Sequence, residues 1–232
     1  MRVVLQKGYI LHQRPYRDSS LLLEAFTCNY GRVSLVSKGG RSSKSDKRAL
    51  LQPFRSLVIS WSGRGDLYTL TSIEPADNNI SLKGDALYSG FYINELLMHL
   101  LHRHDPHEEL YFLYNETISR LADEVSVEPI LRSFEKRALQ QLGYGLQLDS
   151  DYLTGEAISP DLQYAYEIEH GPTVVKNNYA SSFPIISGGA LIELQHERFE
   201  NAMILKEIKQ LMRAVITHYL GGVMLKSREL FK

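Results

Sequence analysis

The stretch SLLLEAFTCNYGRVSLVS (residues 20–37) decides the fold of the first part of this chain. Ser20 to Thr27 and Arg32 to Ser37 are short runs rich in Leu, Val and Phe, which is typical of β-strands. Asn29-Tyr30-Gly31 between them is suited to a tight turn, because glycine accepts the positive φ that hairpin turns require. The stretch therefore predicts a β-hairpin.

Similar runs lie on both sides of this hairpin. They are Val3 to Leu11, Phe54 to Trp61 and Asp66 to Ile73, and Gly63-Arg64-Gly65 supplies a turn between the last two. Five short strands in the first ~75 residues fit a small barrel, and barrels of the oligonucleotide-binding (OB) type have this number of strands. We therefore expect an OB-type barrel over residues 1–80.

From Asp85 onward the apolar residues recur with a helical period. The predicted helices run to about His102, from Asp105 as N-cap to about Ala122, from about Val127 to Leu142, and from about Gly189 to Tyr219 with a break near His196. Residues 146–185 lose this pattern, and a hairpin is predicted there from Tyr164 to Ile168 and Thr173 to Val175. The fold class is therefore α+β, with a barrel followed by an all-helical domain over 81–232 that carries a small irregular insertion.

The charges are divided unevenly along the chain. The 26 basic and 27 acidic residues give a net charge of −1. Residues 1–78 hold twelve basic and six acidic residues, a charge of +6, so the remainder carries −7. This asymmetry indicates a module that binds a polyanion joined to a different module.

Composition excludes several classes of protein. With 44% hydrophobic and 23% charged residues the chain is globular, and its one cysteine, Cys28, excludes an internal disulfide and a multi-thiolate zinc site. Cys28 is expected to be a buried thiol. No apolar run approaches the ~18 residues of a membrane span, and no signal-type segment is visible. We expect a soluble cytoplasmic protein without membrane contact.

The segment KGGRSSKSDKR (38–48) is predicted to be a long basic loop whose small residues let the backbone approach phosphates. The candidate DNA-binding residues are Arg14, Arg17, Arg32, Lys38, Arg41, Lys44, Lys47, Arg48 and Arg64. A solvated surface loop without a ligand is the alternative. Among the barrel aromatics Tyr9, Tyr16, Tyr30, Phe54, Trp61 and Tyr68, most are expected in the core and one or two exposed, where bases could stack.

No catalytic residue, metal site or cofactor is predicted. The basic segment fails the phosphate-loop pattern of nucleotide hydrolases because Ser43 stands where glycine is needed. His99, His102, His104 and His107 are separated by a predicted helix start, so they do not share one helix face.

Arg132 is a candidate for binding the acidic, aromatic end of a partner peptide, with Leu131 and Phe134 beside it as an apolar groove. The alternative is a helix charge that pairs with Glu128 or Glu135.

Six segments together resemble the bacterial recombination mediator family RecO, of the gammaproteobacterial type. They are GRVSLVSKGGRSSKS (31–45), LLQPFRSL (50–57), SGRGDLYTL (62–70), LYSGFYINELL (87–97), LRSFEKRALQQLGYG (131–145) and YLGGVMLKSRELF (219–231). They occur in order from near the first residue to near the last, which makes the resemblance more specific than any single motif.

The resemblance implies a DNA repair and recombination mediator that is not an enzyme. Such proteins bind single- and double-stranded DNA, anneal complementary strands, and work with RecR to place RecA on DNA covered by single-stranded-DNA-binding protein, whose acidic C-terminal tail they recognise. It also implies a location at the nucleoid. Many members carry four zinc-binding cysteines in the insertion, but residues 146–184 contain no cysteine, so the zinc role does not transfer.

Two other functions stay open. One is a protein-interaction adaptor that touches RNA or DNA incidentally through the basic loop. The other is an enzyme acting on nucleic acid, which the absence of a carboxylate or metal motif disfavours.

Overall fold

A computed structural model describes residues 1–41, 46–76, 80–123, 126–175 and 183–231. The chain forms two compact units. The first comprises Met1–Glu124 together with Leu225–Lys232, and the second comprises Val125–Met224. The second unit is therefore inserted between two segments of the first.

The first unit begins with a closed five-stranded barrel, which confirms the predicted fold class. Its strands are β1 (Arg2–Tyr16), β2 (Ser20–Thr27), β3 (Gly31–Ser37), β4 (Leu57–Ser62) and β5 (Leu67–Pro75). The barrel order is β1-β2-β3-β5-β4, with β3 and β5 parallel and the other pairs antiparallel. Its interior is filled by large apolar side chains, among which Leu23, Leu35, Ile59 and Trp61 have no exposed surface.

Strand β1 is longer than the predicted segment, which ended at Leu11. Residues 2–8 pair with β4 and residues 8–16 pair with β2, so one bent strand serves two neighbours. Two register shifts, between Val3 and Gln6 and between Ile10 and His12, allow this bend. The second half of the strand could not be recognised, because residues 12–16 are mostly polar and none of them is buried.

The basic segment is not a loop throughout, so the prediction of a loop to Arg48 was wrong at its end. A short helix, α1 (Asp46–Leu50), follows β3. Leu50 and Leu51 at its end pack against the barrel core. One turn of helix is too short to produce a visible apolar period, which explains why the sequence did not reveal it.

Two helices complete the main part of the first unit, α2 (Gly84–Leu100) and α3 (Glu108–Asp123). The Asn94 side chain of α2 donates to the carbonyl of Leu11 at 3.0 Å and accepts from the Tyr114 hydroxyl at 2.8 Å. Helix α3 starts at Glu108, so the prediction that Asp105 is its N-cap was wrong. The backbone of Asp105 instead packs against Gly31 of the barrel, where an added Cβ would come within 2.0 Å of the Asp105 carbonyl oxygen.

The last residues of the chain return to the first unit as a 3-10 helix, Lys226–Phe231. The Glu95 carboxylate on α2 accepts from the backbone N–H groups of Lys226 at 2.9 Å and Ser227 at 2.8 Å, and from the Ser227 hydroxyl at 2.6 Å. Burial raises the pKa of Glu95, but these bonds outweigh it and hold the pKa below its usual range.

The described residues of the second unit form three helices and a small sheet. The helices are α4 (Val127–Gln141), α5 (Gly188–His196) and α6 (Ala202–Tyr219). The strands are β6 (Gln163–Glu167), β7 (Gly171–Val174) and β8 (Ile185–Ser187), in the order β7-β6-β8. The predicted hairpin is β6 and β7. The third strand was not predicted, because three residues are too few to show an alternating pattern.

One buried carboxylate organises the insertion. Asp151 is 3% exposed. Its Oδ1 accepts from the backbone N–H groups of Leu153 at 2.8 Å and Thr154 at 3.1 Å, and its Oδ2 accepts from the Val174 N–H at 2.8 Å and the Thr173 hydroxyl at 3.3 Å. Burial raises the pKa of Asp151, but these four bonds outweigh it and lower the pKa from its usual value. The carboxylate thus ties the start of the insertion to β7.

Candidate nucleic-acid interface

Strand pairing brings four of the nine candidate DNA-binding residues, Arg14, Arg17, Lys38 and Arg41, to one end of the barrel. Tyr16 pairs with Ser20 across the β1–β2 turn, and Leu21 pairs with Ser37 at the end of β3. The β1–β2 turn and the segment that follows β3 therefore meet at this end. Helix α1, which follows this segment in the chain, carries Lys47 and Arg48. We call the candidates of the turn, the segment and the helix the basic rim: Arg14, Arg17, Lys38, Arg41, Lys47 and Arg48.

Arg41 fixes the two parts of the basic rim to each other. Its guanidinium donates to the carbonyl oxygens of Arg17 at 3.4 Å and Asp18 at 3.2 Å. Its backbone N–H donates to the carbonyl oxygen of Ser19 at 3.1 Å. Arg17 itself has φ 51, in the left-handed region, so the turn is strained and is held by its surroundings. A strained, tethered turn presents its charges in a defined arrangement.

The rim cations are open to solvent. Arg14, Arg17, Lys38, Arg41 and Arg48 are exposed, and Lys47 is half-buried. Exposed guanidinium and ammonium groups on adjoining loops suit phosphate oxygens, which they bind without reading the base sequence. Arg55, half-buried just before β4, is a further basic residue of the barrel that sequence reasoning missed, because it was included in a predicted strand. Lys44 lies outside the described residues.

Two of the sequence-predicted residues lie elsewhere. Arg64 is exposed in the β4–β5 turn, at the other end of the barrel, near the β2–β3 turn. Arg32 is engaged within the protein: its guanidinium donates to the carbonyl of Met98 and lies 3.8 Å from the Glu24 carboxylate, which also binds Arg103. Burial lowers the pKa of Arg32, and Glu24 opposes that shift. Arg32 therefore joins the barrel to α2.

The aromatic residues of the barrel are mostly core, as expected. Tyr9, Phe54, Trp61 and Tyr68 are buried. Tyr30 and Tyr16 are half-buried. Tyr30 lies edge-on to Trp61, with ring centroids 5.4 Å apart, at the end opposite the basic rim. Tyr16 lies at the rim itself.

Comparison with known proteins agrees with this architecture. Residues 1–79 match the family model for the N-terminal part of recombination protein O, and residues 82–229 match the model for its C-terminal part. The DNA repair protein RecO of Methylococcus capsulatus is 45% identical over 100% of this chain and 94% of its own length. The DNA repair protein RecO of Nitrosospira multiformis is 41% identical to this chain, over 98% of this chain and 94% of its own length. The DNA repair protein RecO of Glaesserella parasuis is 39% identical, again over 98% of this chain and 94% of its own length.

This chain belongs to the RecO family. The resemblance found in the sequence is thereby confirmed, and with it a role in DNA repair and recombination.

The zinc site of many RecO proteins does not fit this member. Its insertion holds no cysteine, and within the described residues no group of three or more His, Cys, Asp or Glu side chains is arranged to bind a metal. The four hydrogen bonds of Asp151 supply a crosslink of the insertion that needs no metal. Cys28, outside the insertion, is buried, and this burial raises the pKa of its thiol.

The candidate peptide-binding residues of this RecO protein lie in its interior. Arg132, Leu131 and Phe134 on α4 are at most 5% exposed. The Arg132 guanidinium donates to the Glu135 carboxylate at 2.7 Å, and Glu135 has no exposed surface. Glu128 lies 3.8 Å from Arg132. The pairing considered as the alternative is thus present, but as a buried ion pair and not as a surface one.

None of the described helices is both long and apolar enough to cross a membrane.

Proposed function

We propose that this RecO protein is a non-enzymatic mediator that binds single- and double-stranded DNA through the basic rim and anneals complementary strands. The observation that carries the proposal is that basic residues on two loops meet at one end of the barrel, with Arg41 tying the loops together. The short helix that follows adds Lys47 and Arg48. A rim of this kind neutralises phosphates and releases their counterions, which drives binding without sequence preference.

Annealing follows from the same electrostatics. Two DNA strands repel each other through their phosphates, and binding to the rim reduces that charge. Base pairing then supplies the specificity. No nucleotide hydrolysis is needed, because the duplex is more stable than the separated strands.

We further propose that the protein acts in the cytoplasm at the nucleoid. There it would work with RecR to help place RecA on DNA covered by single-stranded-DNA-binding protein. The expectation that Arg132, Leu131 and Phe134 bind the tail of that protein stays a prediction. Because these side chains are buried, a peptide carboxylate would have to take the place of Glu135 at the guanidinium.

Strand annealing tests the proposal. Complementary oligonucleotides are mixed with the wild type, with the double variant Lys38→Gln/Arg48→Gln, and with the control Lys206→Gln/Arg213→Gln, which removes two exposed charges from α6. We expect the wild type and the control to accelerate annealing and the rim variant to do so much less. No acceleration by the wild type at any salt concentration would refute annealing and favour the protein-interaction adaptor.

A further inference from the structure

We propose that Tyr16 is a stacking platform for an unpaired base, and that it gives the basic rim a preference for single-stranded over double-stranded DNA. This inference rests on the proposed DNA binding at the rim, and it assigns the residue that distinguishes the two forms of DNA.

The position of Tyr16 separates it from the other aromatic residues of the barrel. Tyr9, Phe54, Trp61 and Tyr68 are buried, and Tyr30 packs against Trp61 at the opposite end. Among these six residues, Tyr16 is the one that combines partial exposure with a place next to rim cations. It is the last residue of β1, with Arg14 two positions before it and therefore on the same side of the strand.

The ring is already in contact with a planar cation. The Arg17 guanidinium carbon lies 5.3 Å from the centroid of the Tyr16 ring, within the range of a cation–π interaction. This partner is exposed and lies on the strained turn. A base can occupy the same ring face, because both groups are flat and are attracted to the π system. The displaced guanidinium then becomes available to a phosphate of the same strand.

This exchange explains the expected selectivity. A base in a duplex has its faces covered by its neighbours and cannot reach the ring, whereas a single strand exposes its bases. Duplex DNA would therefore contact the rim cations alone. Single-stranded DNA would contact the same cations and stack on Tyr16 as well.

The test measures the affinities of Tyr16→Ala, Tyr16→Leu and Tyr16→Phe for a single strand and for a duplex of the same sequence. Base stacking on an aromatic ring contributes about 1–3 kcal/mol, which corresponds to about 5- to 150-fold in affinity. We expect Ala and Leu to weaken single-strand binding within this range, Phe to retain it, and duplex binding to change by less than about twofold in all three. The Leu variant keeps an apolar side chain in case Ala disturbs the turn.

A second measurement reports the stack itself. A single strand containing 2-aminopurine should lose fluorescence on binding the wild type and Tyr16→Phe, and should keep more of it with Tyr16→Leu. Equal losses of single-strand and duplex affinity, or no loss in either, would overturn the role of Tyr16. A wild type that binds neither form of DNA would instead overturn the proposed function, so the two failures are distinguishable.

Discussion

Replacing Asp151 by Asn should destabilise the second unit by about 2–4 kcal/mol at neutral pH. The carboxylate accepts four hydrogen bonds, two on each oxygen. An asparagine has one oxygen, so it satisfies one pair of donors and turns its NH2 toward the other. If the NH2 faces Thr173 and Val174, the Thr173 hydroxyl can rotate to accept a hydrogen bond, so the Val174 N–H is the one donor that loses its partner. That loss costs about 1–3 kcal/mol, and the loss of charge weakens the two remaining bonds by about 1 kcal/mol in total.

The same substitution should show a defined dependence on pH. Because the folded protein holds the pKa of Asp151 below its usual value, the ionised carboxylate stabilises the fold. This contribution is complete above the unfolded pKa of about 3.9 and is lost as the pH falls through the lower, folded pKa. The difference in stability between the wild type and Asp151→Asn should therefore be constant near neutral pH and shrink in acid.

Urea unfolding at several pH values measures both effects. Asp149→Asn is the matched control, since Asp149 is exposed two residues away and should change stability by less than about 0.5 kcal/mol. If Asp151→Asn costs no more than Asp149→Asn, or if its cost does not change with pH, then Asp151 does not organise the insertion.

Three further substitutions test other parts of the structure. Glu95→Gln should speed hydrogen exchange in residues 225–231, because a neutral amide holds the last 3-10 helix less firmly, and unchanged exchange would contradict the role of Glu95. Glu135→Gln should lower stability in urea unfolding by about 1–3 kcal/mol, because the buried Arg132 guanidinium keeps only the more distant Glu128 carboxylate as a charged partner. The double variant Arg132→Met/Glu135→Leu should cost less, since it removes the buried charges together. Arg32→Gln should lower thermal stability without changing the salt dependence of DNA binding, whereas a flatter salt dependence would place Arg32 on the DNA.

The barrel could be predicted from the sequence because its signals are local. Each strand shows its own apolar run, and the turns carry glycine. What the sequence could not show is which polar residues lie inside. Arg32 follows the turn at Gly31 and looks like one more basic residue, and only the fold brings Glu24, Arg103 and the carbonyl of Met98 to it.

Arg132 and Tyr16 also show that the sequence does not reveal which side chains are buried and which are accessible. The charge of Arg132 suggested a surface site, but the packing of α4 buries it against Glu135. Tyr16 looked like five other barrel aromatics, and only the strand register places it at the basic rim. Side-chain exposure depends on contacts between distant segments, which composition and periodicity do not contain.

The salt dependence of single-stranded DNA binding tests the central claim most directly. Each phosphate contact contributes about 0.7 to the slope of log affinity against log salt concentration, so the six rim cations together would give a slope of up to about −4. We predict that Lys38→Gln/Arg48→Gln flattens the slope by about 1.4, and that Lys206→Gln/Arg213→Gln leaves it unchanged. Equal slopes for the wild type and the rim variant would contradict DNA binding at this end of the barrel.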